Sequence, residues 1–166
     1  MLKDKRIVST IIIILSLAII QMLISYPRVV ISLIRSECFG TCPAYEVTIH
    51  GDGSVFWKGE NFVEFEGEAK SKIEVQQVRE LIKAIEDAGF FSMNNYEYES
   101  VTDHPWAVVS ITLNGESKTV SHYYGNKNAP IELYELECKI DEIANTNQWI
   151  GWDEAFCRDW IERISK

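Results

Sequence analysis

Nineteen consecutive uncharged residues, Ile7–Ser25, follow a short basic tail at the start of the chain. A run of that length spans the roughly 30 Å hydrocarbon core of a bilayer as a helix. It therefore limits the fold more than any other feature: whatever folds downstream does so without these residues and on one side of a membrane. Lys3, Lys5 and Arg6 against the single acid Asp4 favour a cytoplasmic N-terminus. A cleaved signal peptide begins in the same way, but with a shorter apolar core and small residues at the cleavage site. Leu23 and Ser25 fit such a site poorly, and no cysteine stands just after the run to carry a lipid. The reading is a cytoplasmic tail over 1–6 and a transmembrane signal anchor over 7–25. The chain would then be a single-pass cell-membrane protein, held by the lipid bilayer, with its C-terminal domain outside the cytoplasm.

The 141 residues after Ser25 suit one domain. Removing Lys3, Lys5, Arg6 and Asp4 from 16 bases and 25 acids leaves 13 and 24, a net charge of −11. Such a surface repels phosphate backbones, so no nucleic-acid partner is expected. Five Trp and seven Tyr supply core material. Four cysteines, Cys38, Cys42, Cys138 and Cys157, all lie on the exported side. An even count there reads as two disulfides. Three connectivities exist; spacing and helix faces favour Cys38–Cys42 and Cys138–Cys157.

The hydrophobic period then sets the elements. Val29–Ser36 reads as a first strand and Ala44–His50 as a second, with Tyr45, Val47 and Ile49 alternating against Glu46, Thr48 and His50. Gly51-Asp52-Gly53 is a hairpin turn, and Ser54–Lys58 the returning strand. Phe62–Ala69 reads as a weaker fourth strand, which would point Glu64, Glu66 and Glu68 to one face. The period changes at Ser71-x-x-Glu74, a capping box. A helix follows over Glu74–Ala88, with Val78, Leu81, Ile82 and Ile85 on one face. Trp106–Leu113 and Glu116–Tyr123 flank Asn114-Gly115, which favours a type I′ hairpin placing Val109 opposite Val120 and Ala107 opposite His122. Ile131–Asn145 is a second helix, with Leu133, Leu136, Ile140 and Ile143 as its core stripe. Ile131, Tyr134 and Cys138 form a second apolar face, which the amphipathic segment 152–166 is expected to cover. The expected fold class is α+β: an antiparallel sheet with two helices packed on one face in a 29–151 domain, plus the N-terminal transmembrane helix and a C-terminal helix.

The chemistry-bearing candidates are few. Cys38-Phe39-Gly40-Thr41-Cys42-Pro43 joins two strands, which favours a structural disulfide. A redox pair usually sits at a helix N-terminus with closer spacing. A metal site at this turn needs further ligands from His50, His104, His122, Asp52 or Asp103, and no spacing assembles them. Tyr45, Asp52, Asp103, His104 and His122 form the candidate functional surface, with no residue singled out as catalytic and no metal ligand. No nucleotide-binding, hydrolase-elbow or zinc-protease motif is present, and no cofactor is expected.

Cys38-x-Gly40-x-Cys42-Pro43-x-Tyr45, Asp52-Gly53-x-Val55 and Gly59 resemble a family of uncharacterised bacterial domains, commonly exported or lipid-anchored. Asp103-x-Pro105, Asn114-Gly115, Pro130, Leu133 and Ile140-Asp141 are similar to that family too, across about Ile31–Gly151. The resemblance implies an exported domain with Cys38 and Cys42 as a paired feature, and implies no activity. The resulting expectation is a membrane-anchored extracytoplasmic domain, a non-catalytic binding or scaffolding module for an extracytoplasmic protein or ligand. The alternatives are a thiol redox or hydrolytic enzyme using Cys38 and Cys42, and a metal-binding module.

Overall fold

The computed structural model describes residues 28–97 and 104–151, together with Thr10 and Ser16. Six strands, β1 (Val30–Arg35), β2 (Ala44–His50), β3 (Ser54–Asn61), β4 (Gly67–Lys72), β5 (Trp106–Leu113) and β6 (Glu116–Tyr123), form one sheet. Its order is β4-β3-β2-β1-β5-β6, and every neighbouring pair is antiparallel. Helices α1 (Val75–Asp87) and α2 (Ile131–Ala144), the short α3 (Asn147–Ile150) and a 3-10 turn over Phe90–Ser92 accompany the sheet among the described residues.

Strand alternation decides which face is covered. Ile31 and Leu33 of β1, Val47 and Ile49 of β2, and Val109 of β5 are wholly buried on one face. Their neighbours Ser32, Thr48 and Ser110 form a polar row on the other. Val78, Leu81, Ile82 and Ile85 of α1, and Leu133, Leu136, Ile140 and Ile143 of α2, join the same core. Each such aliphatic side chain contributes about 1.5–3 kcal/mol by leaving water. The β5–β6 hairpin turns through Asn114 and Gly115, both at positive φ, with Val109 opposite Val120 and Ala107 opposite His122. β1 is central, because β5 returns to pair with it after α1. Sequence order alone did not indicate that non-consecutive pairing.

Three expectations are corrected. Among the described residues no helix is long and apolar enough to cross a membrane. The longest, α2, has 14 residues, about 21 Å at 1.5 Å per residue and short of a bilayer core. The described residues form an α+β sheet-and-helix domain, with no transmembrane helix among them. Apart from Thr10 and Ser16, Ile7–Ser25 lies outside the described residues, as does the expected helix over 152–166. Second, β4 begins only at Gly67, so Glu64 and Glu66 sit in a loop and do not share a strand face with Glu68. Gly59 explains the loop: a Cβ there would stand 2.2 Å from the Phe65 carbonyl oxygen. The chain after β3 folds back onto the strand, and Trp57 Nε1 donates to that same oxygen at 3.1 Å. Third, the capping box of α1 is Glu74 with Gln77, not Ser71 with Glu74.

Candidate functional site

One row across the helix-covered face gathers the polar chemistry of the domain. Register places Gly59, Tyr45, Arg35, Ala107 and His122 side by side on β3, β2, β1, β5 and β6. Arg35, Tyr45 and His122 point into the core because strand parity makes them follow Leu33, Val47 and Val120. All three are buried, His122 completely. Above them lies α2, whose Glu137 and Asp141 are four residues apart and so share one helix face. Glu137 meets β6 and Asp141 meets β1 and β2, so α2 runs across the strands. The small Ala107 between Arg35 and His122 leaves room for Glu137 to approach both.

Arg35 is the hub. Its Nε donates to Tyr45 Oη and to Asp141 Oδ2, both at 3.0 Å, and its Nη2 donates to Asp141 Oδ2 at 2.7 Å. Its Nη1 donates to Tyr124 Oη and stands 3.8 Å from Glu137 Oε2. Each tyrosine passes the contact on: Tyr45 donates to Asp141 Oδ1 at 2.7 Å, and Tyr124 donates to Glu137 Oε2. Thr146, just beyond α2, donates to Asp141 Oδ1 at 3.0 Å. His122 Nδ1 lies 2.7 Å from Glu137 Oε1. A guanidinium thus sits between two tyrosine–carboxylate pairs, and an imidazole extends one of them. The Tyr134 ring stacks on Tyr124 at 5.4 Å and meets His122 edge-on at 4.2 Å.

The electrostatics follow from this enclosure. Burial opposes the Arg35 charge, but Tyr124, Asp141, Tyr45 and Glu137 overrule it and hold its pKa well above the ordinary value. Burial, then the Asp141 charge, pushes the Tyr45 hydroxyl well up against the pull of Arg35. Burial raises Tyr124 strongly too, Arg35 working against it and Glu137 with it. Tyr134 is pushed up to about 12 by burial and by Glu137. The tyrosines therefore remain neutral donors at ordinary pH. One atom is left over: His122 Nε2 is buried without a hydrogen-bond partner among the described residues. A carboxylate-held imidazole with a free second nitrogen has the outline of a general base. A base must also reach its substrate's proton, within about 3 Å, and this ring has no exposed surface.

The sequence-predicted residues are divided by the fold. Tyr45 and His122 enter the buried row. Asp52 sits exposed in the β2–β3 turn, at the opposite end of its strand from Tyr45, accepting bonds from Ser54 N and Oγ at 2.9 Å. Those bonds, the backbone one first, lower its pKa. His104 is exposed ahead of β5, its ring edge-on to Tyr123. Asp103 lies outside the described residues. Cys38 and Cys42 form a disulfide with Cα atoms 5.5 Å apart. Cys138 is also disulfide-bonded, and its expected partner Cys157 lies outside the described residues. Among the described residues no group of three or more His, Cys, Asp or Glu is placed to hold a metal ion.

Sequence reasoning missed Arg35, Glu137, Asp141 and Tyr124. The signal was present: Arg35 continues the parity of Ile31 and Leu33, and Glu137 falls inside the stripe of Leu133 and Ile140. A charge in an apolar period is the mark of a buried partner.

The family comparison falls on this same unit. Residues 29–144 match the domain of unknown function (DUF6438). The chain belongs to that family. The DUF6438 region runs from the residue before β1 to the last residue of α2, and so contains the whole row of Arg35, Tyr45 and His122 with Glu137 and Asp141 above it. No curated protein matches the chain.

Proposed function

We propose that this chain is a non-catalytic binding module working outside the cytoplasm. The observation that carries it is the enclosure of the polar row. The groups capable of acid–base chemistry that the fold brings together, Arg35, His122, Glu137 and Asp141, are bonded to one another beneath α2. They fasten a helix to a sheet, which leaves the loops and the open sheet face as the surfaces that meet a partner. The oxidised cysteines support the compartment: the Cys38–Cys42 bridge and a disulfide at Cys138 persist where thiols are not kept reduced.

Turnover assays on the full chain test the first half. Esterase, amidase and dithiol-exchange substrates are expected to give no rate above background. A saturable rate abolished by His122→Gln, or by Cys38→Ser with Cys42→Ser, would overturn the reading. A reporter that functions only in the cytoplasm, fused after Lys166, tests the second half. It is expected to be silent, and an active reporter sinks the location.

A further inference from the structure

We propose that the sheet end carrying the β1–β2 and β3–β4 loops is the docking surface for a basic polypeptide segment with interspersed apolar side chains. Phe39, Phe62 and Phe65 serve as the anchors. This rests on the binding-module reading and names its surface and partner.

Three phenylalanines face water here. Phe39 is 90% exposed, and Phe62 and Phe65 are 44% exposed each. β1 and β3 both end at this edge of the sheet and β2 and β4 both start there, so the two loops lie at the same end. Asn61 Nδ2 donates to Glu37 and ties one loop to the other.

Both loops are held in place. The Cys38–Cys42 bridge closes the first around Phe39. The second is pinned to the segment after α2, with Glu64 N donating to the Ile150 carbonyl at 3.2 Å and Phe65 N to that of Trp149 at 2.9 Å. Phe62 is fixed at φ 57°, a conformation bulky side chains adopt only when their surroundings impose it. Rigid aromatic anchors bind with little ordering cost, the property that distinguishes a recognition surface from a floppy loop.

Charge selects the partner. Glu37, Glu60, Glu64 and Glu66 are exposed around the phenylalanines, and residues 36–43 and 59–66 contain no Lys or Arg. The nearest lysine along β3, Lys58, is engaged by Glu60 at 2.8 Å. Such a rim repels anionic lipid heads and nucleic acid. It also disfavours a second copy of this chain, whose formal net charge is −9. Lys and Arg beside apolar side chains satisfy both features, pairing with the carboxylates and lying over the ring faces.

The test uses the full chain and labelled peptides of repeated Lys-Leu or Glu-Leu units, with binding read by fluorescence anisotropy. The Lys-Leu peptide is expected to bind saturably, more weakly as salt rises, and the Glu-Leu peptide not to bind. Phe39→Ser with Phe65→Ser is expected to weaken Lys-Leu binding about tenfold. Glu64→Lys with Glu66→Lys, which leaves the aromatics intact, should weaken it comparably. Full-strength binding by both variants would overturn this surface and leave the binding-module reading standing. No binding of the Lys-Leu peptide, or preferential capture of anionic vesicles, would also overturn it. Variants that lower thermal stability without changing the affinity would show that the phenylalanines pack against the chain itself, and would count against the proposal. Failure of the binding-module reading shows separately, as turnover lost in His122→Gln or the cysteine variant.

Discussion

Arg35 occupies a position that strand parity reserves for an aliphatic side chain, and its burial is tolerable because Tyr45, Tyr124, Glu137 and Asp141 surround it. The gain and the cost of such a hub are both large. Taking a charge out of water costs several kcal/mol, and the interior repays it only when each donor finds an acceptor. Here Nε, Nη1 and Nη2 all do. Removing the hub leaves Glu137 buried and Asp141 half-buried without their counter-charge. Arg35→Met is therefore expected to destabilise the fold by about 3–5 kcal/mol, a large share of the roughly 5–15 kcal/mol available to a domain. Adding Glu137→Gln and Asp141→Asn to Arg35→Met should recover part of that loss, because the stranded charges go with the arginine. Urea unfolding of the single and triple variants checks both. A fully stable single variant would mean that the network contributes no net stability. His122 differs in kind. Its Nδ1 lies 2.7 Å from Glu137 Oε1, while its Nε2 has no partner among the described residues; a buried polar atom left unpaired costs about 1–3 kcal/mol.

At the level of elements, α2 does two jobs with one face. Leu133 and Ile140 bury against the sheet, while Glu137 and Asp141 between and beyond them reach the polar row. The apolar stripe was legible from period alone, as were α1, the Asn114-Gly115 hairpin and the His122 position opposite Ala107. These are set by local pattern and turn chemistry. β4 was displaced because Gly59 admits the Phe65 carbonyl against β3, a tertiary contact that no window of sequence displays. Parity and stripe signalled that Arg35 and Glu137 are buried, but not which groups they meet: Arg35 and Asp141 are 106 residues apart and come together through the pairing of β1 with β5 and the crossing of α2. The one local constraint bearing on the candidate surface is the Cys38–Cys42 loop. Closing so short a loop removes about 2 kcal/mol of unfolded-chain freedom in the chain-entropy account. Cys38→Ser with Cys42→Ser should lower unfolding free energy by about that amount and leave the sheet folded. Far-ultraviolet dichroism with urea titration reads both, and collapse of the sheet would assign the bridge a larger role.

Across the described residues two parts stand apart: a sealed polar row that fixes helix to sheet, and an acidic, aromatic loop end that faces solvent. The sealed row makes the fold sensitive to alkali. Tyr134 is pushed up to about 12 in the folded chain against an ordinary 10, with burial and Glu137 as the causes, and burial also holds Tyr45 and Tyr124 well above the ordinary value. A phenol whose folded pKa lies above its unfolded value binds more protons when folded in the interval between them. Stability then falls with rising pH. The contribution is complete below about pH 10, the unfolded value, and is lost as pH climbs through 12. The unfolding midpoint is therefore expected to hold steady below that interval and to drop across it. Tyrosinate absorbance from the buried rings should appear together with unfolding rather than at the pH of free phenol. Tyr134→Phe removes one of these titrations and should flatten the alkaline drop. An equally steep drop in that variant would place the sensitivity on Tyr45 and Tyr124 alone. Tyrosines that ionise near pH 10 while the chain stays folded would show that the row is open to water, and would return His122 Nε2 to consideration as a reachable base.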